Sequence, residues 1–264
     1  MKKLLLILSL FVAHLSKAQT IQVIESELSK AFAEIKVCAI QDRDYMLLKN
    51  ANHQFEKLLL DYTSKNLETI NAEFKSLRDS GLIILTSEDG NFRIYNWNPL
   101  ISVGCIEYRT IFQCRANEQV FSKTFMVSLL TDQIDSDDSY TTVQQISSRD
   151  KIFYLAFSES GCNSSHFSSL GQQVKAFSIE NGHLNDTVKL FKTKKEVVNH
   201  LWGSVIKVQG VYKKYERNKS MIVTDYKFEY DEVNKIVTIP FVKNYRFTNR
   251  KIRYRFTGTF FEEF

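Results

Sequence analysis

The chain has 264 residues, a formal net charge of +5, and 44% hydrophobic against 25% charged positions. Two prolines and nine glycines exclude a disordered or linker-rich chain, and four cysteines are too few for a disulfide scaffold. The charge is unevenly placed: residues 19–188 carry 15 Lys/Arg against 22 Asp/Glu, a net −7, while residues 189–264 carry 17 against 8, a net +9. An acidic body of that size opposes nucleic-acid binding, and the basic C-terminal third points to other anionic partners.

Lys2 and Lys3 precede an apolar run from Leu4 to Leu15, which exits through Ser16, Lys17 and Ala18. A short basic region, an apolar stretch of about 7–15 residues and a small-x-small exit describe a secretory signal peptide. Cleavage is expected after Ala18, leaving Gln19 as the new N-terminus. The run is too short for a permanent bilayer span, and no cysteine follows it to carry a lipid anchor. The protein is therefore expected to be exported, periplasmic or secreted, with no transmembrane helix after signal cleavage.

Ile24, Leu28, Ala31, Phe32 and Ile35 recur at three- and four-residue steps, predicting an amphipathic helix over 21–40. Gln41–Asp44 breaks it. A second helix is expected over about 45–62, on Leu48, Phe55, Leu58, Leu59 and Tyr62, and a third over about 66–78, on Leu67, Ile70, Phe74 and Leu77. Gly81 supplies the stop.

From Leu82 the apolar period changes from 3.6 to 2. Two apolar runs flank Asp89 and Gly90, a strong hairpin signal because both residues tolerate positive φ. Phe92 and Ile94 share one face of the second arm, with Arg93, Tyr95 and Trp97 on the other. Residues 105–115 read as one strand. After it come a strand on Phe121–Leu129, an acidic loop over 132–139, strands over 140–146 and 151–157, and a polar loop over 158–171. Residues 173–179 and 187–191 flank a second turn signal at Asn181 and Gly182, and 196–202 reads as a short helix. Strands over 205–211, 221–230, 236–242 and 252–261 complete the chain. The fold class is α+β: a signal peptide at 1–18, a helical subdomain of about three helices at 19–81, and a large antiparallel β domain at 82–264. The pattern leaves sandwich, barrel and propeller-like closures open.

Read as ends of one strand, Cys105 and Cys114 lie roughly 30 Å apart, beyond disulfide reach. Any disulfide is then expected to involve Cys38 or Cys162; four buried thiols are the alternative.

The runs SEDGNFRIYNW (87–97), IFYL (152–155), GCNSS (161–165), FSIENG (177–182), VKLF (188–191), YD (230–231), VTIP (237–240) and YRFTG (254–258) follow one another along the chain. In that order they resemble a family of uncharacterised exported bacterial β-rich proteins. The resemblance implies export and a β-rich fold, and no activity.

Four groups of residues merit weighing as sites. Cys162 and His166 could pair as thiolate nucleophile and base, or form half of a zinc site; an ordinary surface loop is the favoured reading. Asp132, Asp135, Asp137 and Asp138 offer hard oxygens to calcium, but the spacing fits no EF-hand and a solvated turn is preferred. Lys251, Arg253 and Arg255 share one strand face opposite Ile252, Tyr254 and Phe256. They could hold the phosphate or carboxylate of an anionic envelope glycan, lipid or protein, or else blunt an edge strand, and the second is favoured. Arg93, Tyr95 and Trp97 could form an exposed aromatic platform, although aromatics on a sheet are more often core. The chain has no Gly-x-Ser-x-Gly elbow, His-Glu-x-x-His helix, phosphate loop or dinucleotide fingerprint. No catalytic, cofactor or metal residue is assigned. The expected function is a non-catalytic binding module of the cell envelope, ahead of a hydrolase whose site is assembled from distant residues and of an outer-membrane β-barrel.

Overall fold

In a computed structural model of the chain, residues 2–42, 44–101, 105–124, 139–148, 151–163, 167–194, 197–198, 200–208, 227–243 and 246–264 are described. The architecture is α+β, with helices first and almost wholly antiparallel sheets after. Helix α1 (Lys2–Val37) runs into a π-helical turn at Cys38–Asp42, and its predicted stripe of Ile24, Leu28, Phe32 and Ile35 is buried. Helix α2 (Tyr45–Lys65) begins where Asp44, in extended backbone, accepts the N–H groups of Met46 (2.7 Å) and Leu47 (3.1 Å) on Oδ1, a side-chain N-cap.

The third predicted helix is divided. A 3-10 turn at Leu67–Ile70 is separated from a short α3 (Lys75–Asp79) by Phe74, whose φ of 48° and ψ of 51° are left-handed. That strained backbone is held because Phe74 is 1% exposed and packs its ring 6.3 Å from that of Tyr95. Apolar periodicity cannot see this break, because Ile70, Phe74 and Leu77 all remain buried across it.

The strands are β1 (Ile83–Thr86), β2 (Phe92–Trp97), β3 (Cys105–Ile106), β4 (Arg109–Ala116), β5 (Gln119–Lys123), β6 (Ser139–Ser147), β7 (Ile152–Asn163) and β8 (Phe167–Glu180). They continue as β9 (His183–Asn185), β10 (Phe191–Lys192), β11 (Val197–Val198), β12 (His200–Val208), β13 (Glu229–Asp231), β14 (Ile236–Lys243), β15 (Arg246–Phe256) and β16 (Phe261–Glu263).

Two compact units divide the chain. The first takes Met1–Thr86, Gly90–Ile101 and Thr110–Met126, so it continues past the helix-to-strand switch at Leu82 and carries the sheet β1-β2-β4-β5 beside the helices. Its core joins Leu28, Phe55 and Leu59 to Tyr95 and Trp97 of β2. Phe55 sits 4.8 Å from Phe32 and meets Trp97 edge-on at 5.1 Å.

The second unit takes Ser87–Asp89, Ser102–Arg109 and Val127–Phe264. It holds two six-stranded sheets: β12-β8-β7-β3, with β6 on β7 and β9 on β8, and β11-β10-β16-β15-β14-β13. Leu155, Phe157, Val174 and Leu201 of the first sheet share one core with Phe191, Val237, Tyr254 and Phe261 of the second, so the unit is a sandwich. Among the described residues all pairings are antiparallel except β10 with β16, a two-residue parallel bridge. The Asn181-Gly182 turn is as expected: Glu180 pairs with His183, and the two central residues take φ of 52° and 75°.

Three readings are corrected. The strand expected over 105–115 is two strands in different sheets, β3 and β4. The polar loop expected over 158–171 is largely the β7–β8 hairpin, pairing through Asn163 with Ser168. The helix expected over 196–202 is strand, and Val198 and Leu201 turn into the sandwich core instead of lining a helix face. The acidic cluster Asp132, Asp135, Asp137 and Asp138 lies outside the described residues.

Burial pushes the Tyr230 phenol up to about 12, with Glu232 and Asp231 adding to the shift, and Tyr254 is raised by desolvation and then by Glu263. A phenol raised above its unfolded value of about 10 contributes stability that is complete below pH 10 and lost as pH rises through the folded value. Ultraviolet titration of tyrosinate should therefore show late-titrating phenols, and the denaturant midpoint should hold to about pH 10 and fall toward pH 12.

Candidate functional site

Every residue of β2 is buried. Alternation sends Phe92 and Ile94 to one face and Arg93, Tyr95 and Trp97 to the other, and it is the second face that meets the helices. Trp97 and Tyr95 are fully buried and Arg93 is 4% exposed. The exposed aromatic platform is therefore absent. Trp97 donates its indole N–H to Asn52 Oδ1 (3.2 Å), and Asn52 Nδ2 donates to the carbonyls of Leu48 and Pro99, each at 2.9 Å.

Arg93 is the unexpected member of this face. Its Nη1 donates to the carbonyls of Thr69 (2.7 Å) and Ala72 (2.8 Å), and its Nε to Thr86 Oγ1 (2.8 Å). Tyr95 Oη donates to Gln113 Oε1 (2.9 Å), and Gln113 Nε2 donates to the Thr63 carbonyl (2.8 Å) and to Thr69 Oγ1 (2.7 Å). Burial raises the Tyr95 phenol, while the Arg93 charge pulls the other way. A buried guanidinium ordinarily pairs with a carboxylate. Among the described residues no carboxylate pairs with Arg93; carbonyl and hydroxyl oxygens take all its hydrogen bonds, and its Nη2 makes none.

Arg93 also reaches the floor of a recess of about 330 Å³ lined by Asn71, Glu73, Lys75, Arg78, Asp79 and Arg93. Arg78 donates its Nε to the Glu73 carbonyl (2.9 Å), and desolvation followed by the Arg93 charge lowers its pKa from the usual guanidinium range. Lys75 is paired with Asp79 at 2.6 Å. That pair cancels, leaving the Glu73 carboxylate against two guanidiniums. Among the described residues neither guanidinium is ion-paired, and two planar forks facing a single carboxylate, Glu73, are a surface to which a further carboxylate or phosphate can bind. The lining comes from both sides of the left-handed Phe74 in sequence, Asn71 and Glu73 before it and Lys75, Arg78 and Asp79 of α3 after it. Sequence reasoning named Arg93 but missed Arg78 and Lys75, whose only local signal is a polar position on a short helix.

The basic strand keeps its predicted face: Lys251, Arg253 and Arg255 are exposed and alternate with buried Tyr254. One of the three, Lys251, is ion-paired there. Lys251 Nζ reaches both Glu229 carboxylate oxygens, at 2.9 and 3.0 Å, and the Arg255 guanidinium lies 4.4 Å over the Phe264 ring, opposite Glu262 in the ladder. The edge-blunting reading also fails for Arg253 and Arg255. Strand β15 runs between β14 and β16, and the Arg253 carbonyl accepts the Phe264 N–H.

Cys162 lies near the end of β7, in a strand and not in the loop expected, while His166 lies outside the described residues. Cys38 and Cys114 are buried thiols; burial pushes the Cys114 thiol up, away from the reactive thiolate. Among the described residues no group of three or more His, Cys, Asp or Glu could hold a metal ion. No helix among them is long and apolar enough to cross a membrane. No protein family, curated protein or solved structure matches the chain.

Replacing Arg93 with Ala leaves the Ala72 carbonyl without its donor, while the Thr69 carbonyl keeps the Tyr95 hydroxyl (3.1 Å) and the Ala72 N–H (3.3 Å), and should lower stability by about 1–3 kcal/mol. Arg78→Ala removes one exposed contact and should stay within about 1 kcal/mol of the parent. Urea denaturation of the two variants checks both values.

Proposed function

We propose that the protein is an exported, non-catalytic binding module of the cell envelope that holds an anionic group at the Arg78–Arg93 recess. The group is a carboxylate or phosphate of an envelope glycan, lipid or protein. The observation that carries this reading is the buried Arg93, which has no carboxylate partner among the described residues and lines an open recess beside Arg78. A structural arginine would be complete with its carbonyls; a second guanidinium next to it raises the electrostatic cost unless an anion joins them. The recess volume of about 330 Å³ lies at the small end of ligand sites, fitting one charged group better than a whole ligand. Export is supported by Lys2, Lys3, the apolar run from Leu4 to Leu15 and the exit at Ala18.

Titration calorimetry of residues 19–264 against a uronate oligosaccharide, vesicles with anionic headgroups and an acidic peptide tests the site. At least one should bind. Arg78→Ala should weaken it roughly tenfold, the size of a lost charge-assisted hydrogen bond, and added salt should weaken it further. Silence from all three, or binding indifferent to Arg78, overturns the site. Turnover of an ester, glycoside or peptide that a recess substitution abolishes would replace it with a hydrolase. Separately, mass spectrometry of the protein from its native host should find Gln19 at the N-terminus; an intact Met1 in the mature pool would sink export.

A further inference from the structure

Along one side of β7, strand β6 pairs from Ile152 to Glu159, and β3 takes up the same ladder with Ile106 opposite Gly161 and Cys105 opposite Cys162. On its other side Cys162 pairs with Ser169 of β8. A strand as short as β3, Cys105–Ile106, has little ladder of its own to hold it. Directly opposed residues of an antiparallel ladder share one face of the sheet, with Cα atoms about 4.5–5.5 Å apart. That separation falls within the 4.4–6.8 Å a disulfide spans. The other two cysteines are placed elsewhere: Cys38 in the π-helical turn, where its thiol lies 3.9 Å from Glu34 Oε1, and Cys114 in β4, both of them buried thiols.

We propose that Cys105 and Cys162 form a cross-strand disulfide that fastens β3 to β7. The co-reactant is a disulfide oxidant of the kind found in export compartments. One cysteine, as thiolate, attacks a sulfur of the oxidant, breaking its S–S bond and releasing one thiol. The second cysteine, having given up its proton, attacks the mixed disulfide and releases the other thiol. Two protons and two electrons pass to the oxidant as the Cys105–Cys162 bond forms. The bond closes residues 105–162 into one loop, a long closure whose entropy is removed from the unfolded chain. In the host, the oxidant is met only if the export reading holds.

The test has two arms. In the first, the purified reduced protein is exposed to oxidised glutathione, quenched in acid, alkylated under denaturation, and mapped by mass spectrometry without reduction. The Cys105 and Cys162 peptides should appear joined, two hydrogens lighter than their sum, with Cys38 and Cys114 alkylated. Oxidation should raise Tm by on the order of 10 °C. A double variant, Cys105→Ser with Cys162→Ser, should melt with the reduced parent and not respond to oxidant. Alkylation of both cysteines, a link to Cys38 or Cys114, or glutathione adducts alone would each overturn the pairing. In the second arm the protein is acid-trapped from its native host and mapped in the same way. A link that forms with glutathione but is missing there overturns export and leaves the pairing standing.

Discussion

The first unit depends on how one buried cation is satisfied. Arg93 enters the core from β2 with no carboxylate bonded to it among the described residues, and a guanidinium so placed is stable only if fixed dipoles replace the water it has lost. The dipoles are the carbonyls of Thr69 and Ala72. In a continuous helix those carbonyls would accept intrahelical N–H groups from the following turn. Here the helix stops after Ile70, turns left-handed at Phe74, and restarts at Lys75; the Ala72 carbonyl accepts from the arginine, and the Thr69 carbonyl accepts from it beside the Ala72 N–H. The break in the helix and the burial of the charge are thus one arrangement. The Tyr95–Gln113–Thr69 hydrogen bonds then tie β2, β4 and the 3-10 turn together.

The second unit shows why net charge along a sequence is a weak guide to a site. Among the described residues, three lysines after residue 188 meet acids: Lys251 with Glu229, Lys192 with Glu262 at 2.5 Å, and Lys194 with Glu263 at 3.0 Å. Such exposed pairs contribute little to stability, but they lower the potential that an anionic partner would feel. The recess of the first unit lies in the acidic part of the sequence, yet two guanidiniums converge there. Local convergence, and not regional composition, sets the field at short range.

What the sequence disclosed was whatever local chemistry decides. Helix α2 follows from its apolar stripe, the β8–β9 turn from Asn181 and Gly182, and the outward face of β15 from strict alternation around Tyr254. Long-range partners decided the rest. Alternation in β2 separated Arg93, Tyr95 and Trp97 from Phe92 and Ile94 correctly, but a period of two cannot say which face a helix will cover, and here both faces are buried. The break between β3 and β4 falls inside an alternating run, because each half pairs in a different sheet. The register that sets Cys105 opposite Cys162 spans the whole of residues 105–162, so spacing along a supposed single strand pointed away from it. Of the recess, only Arg93 was legible, and for a different role.

Burial of both faces of β2 also limits where the first unit can bind anything. A ligand cannot lie across that strand, since Trp97, Tyr95 and Phe92 are all fully buried. What the strand offers to solvent is the rim where Arg93 meets the turn at Asn71 and Glu73 and the start of α3. The core fixes Arg93 through three of its own oxygens, so its guanidinium is held in place before any anion arrives. Arg78, on the exposed side, is held through its Nε on the Glu73 carbonyl alone. A rigid cation paired with an adaptable one loses little conformational entropy on binding. The same buried network that breaks the third helix therefore prepares the recess, and a ligand there would complete a charge arrangement the fold has already assembled.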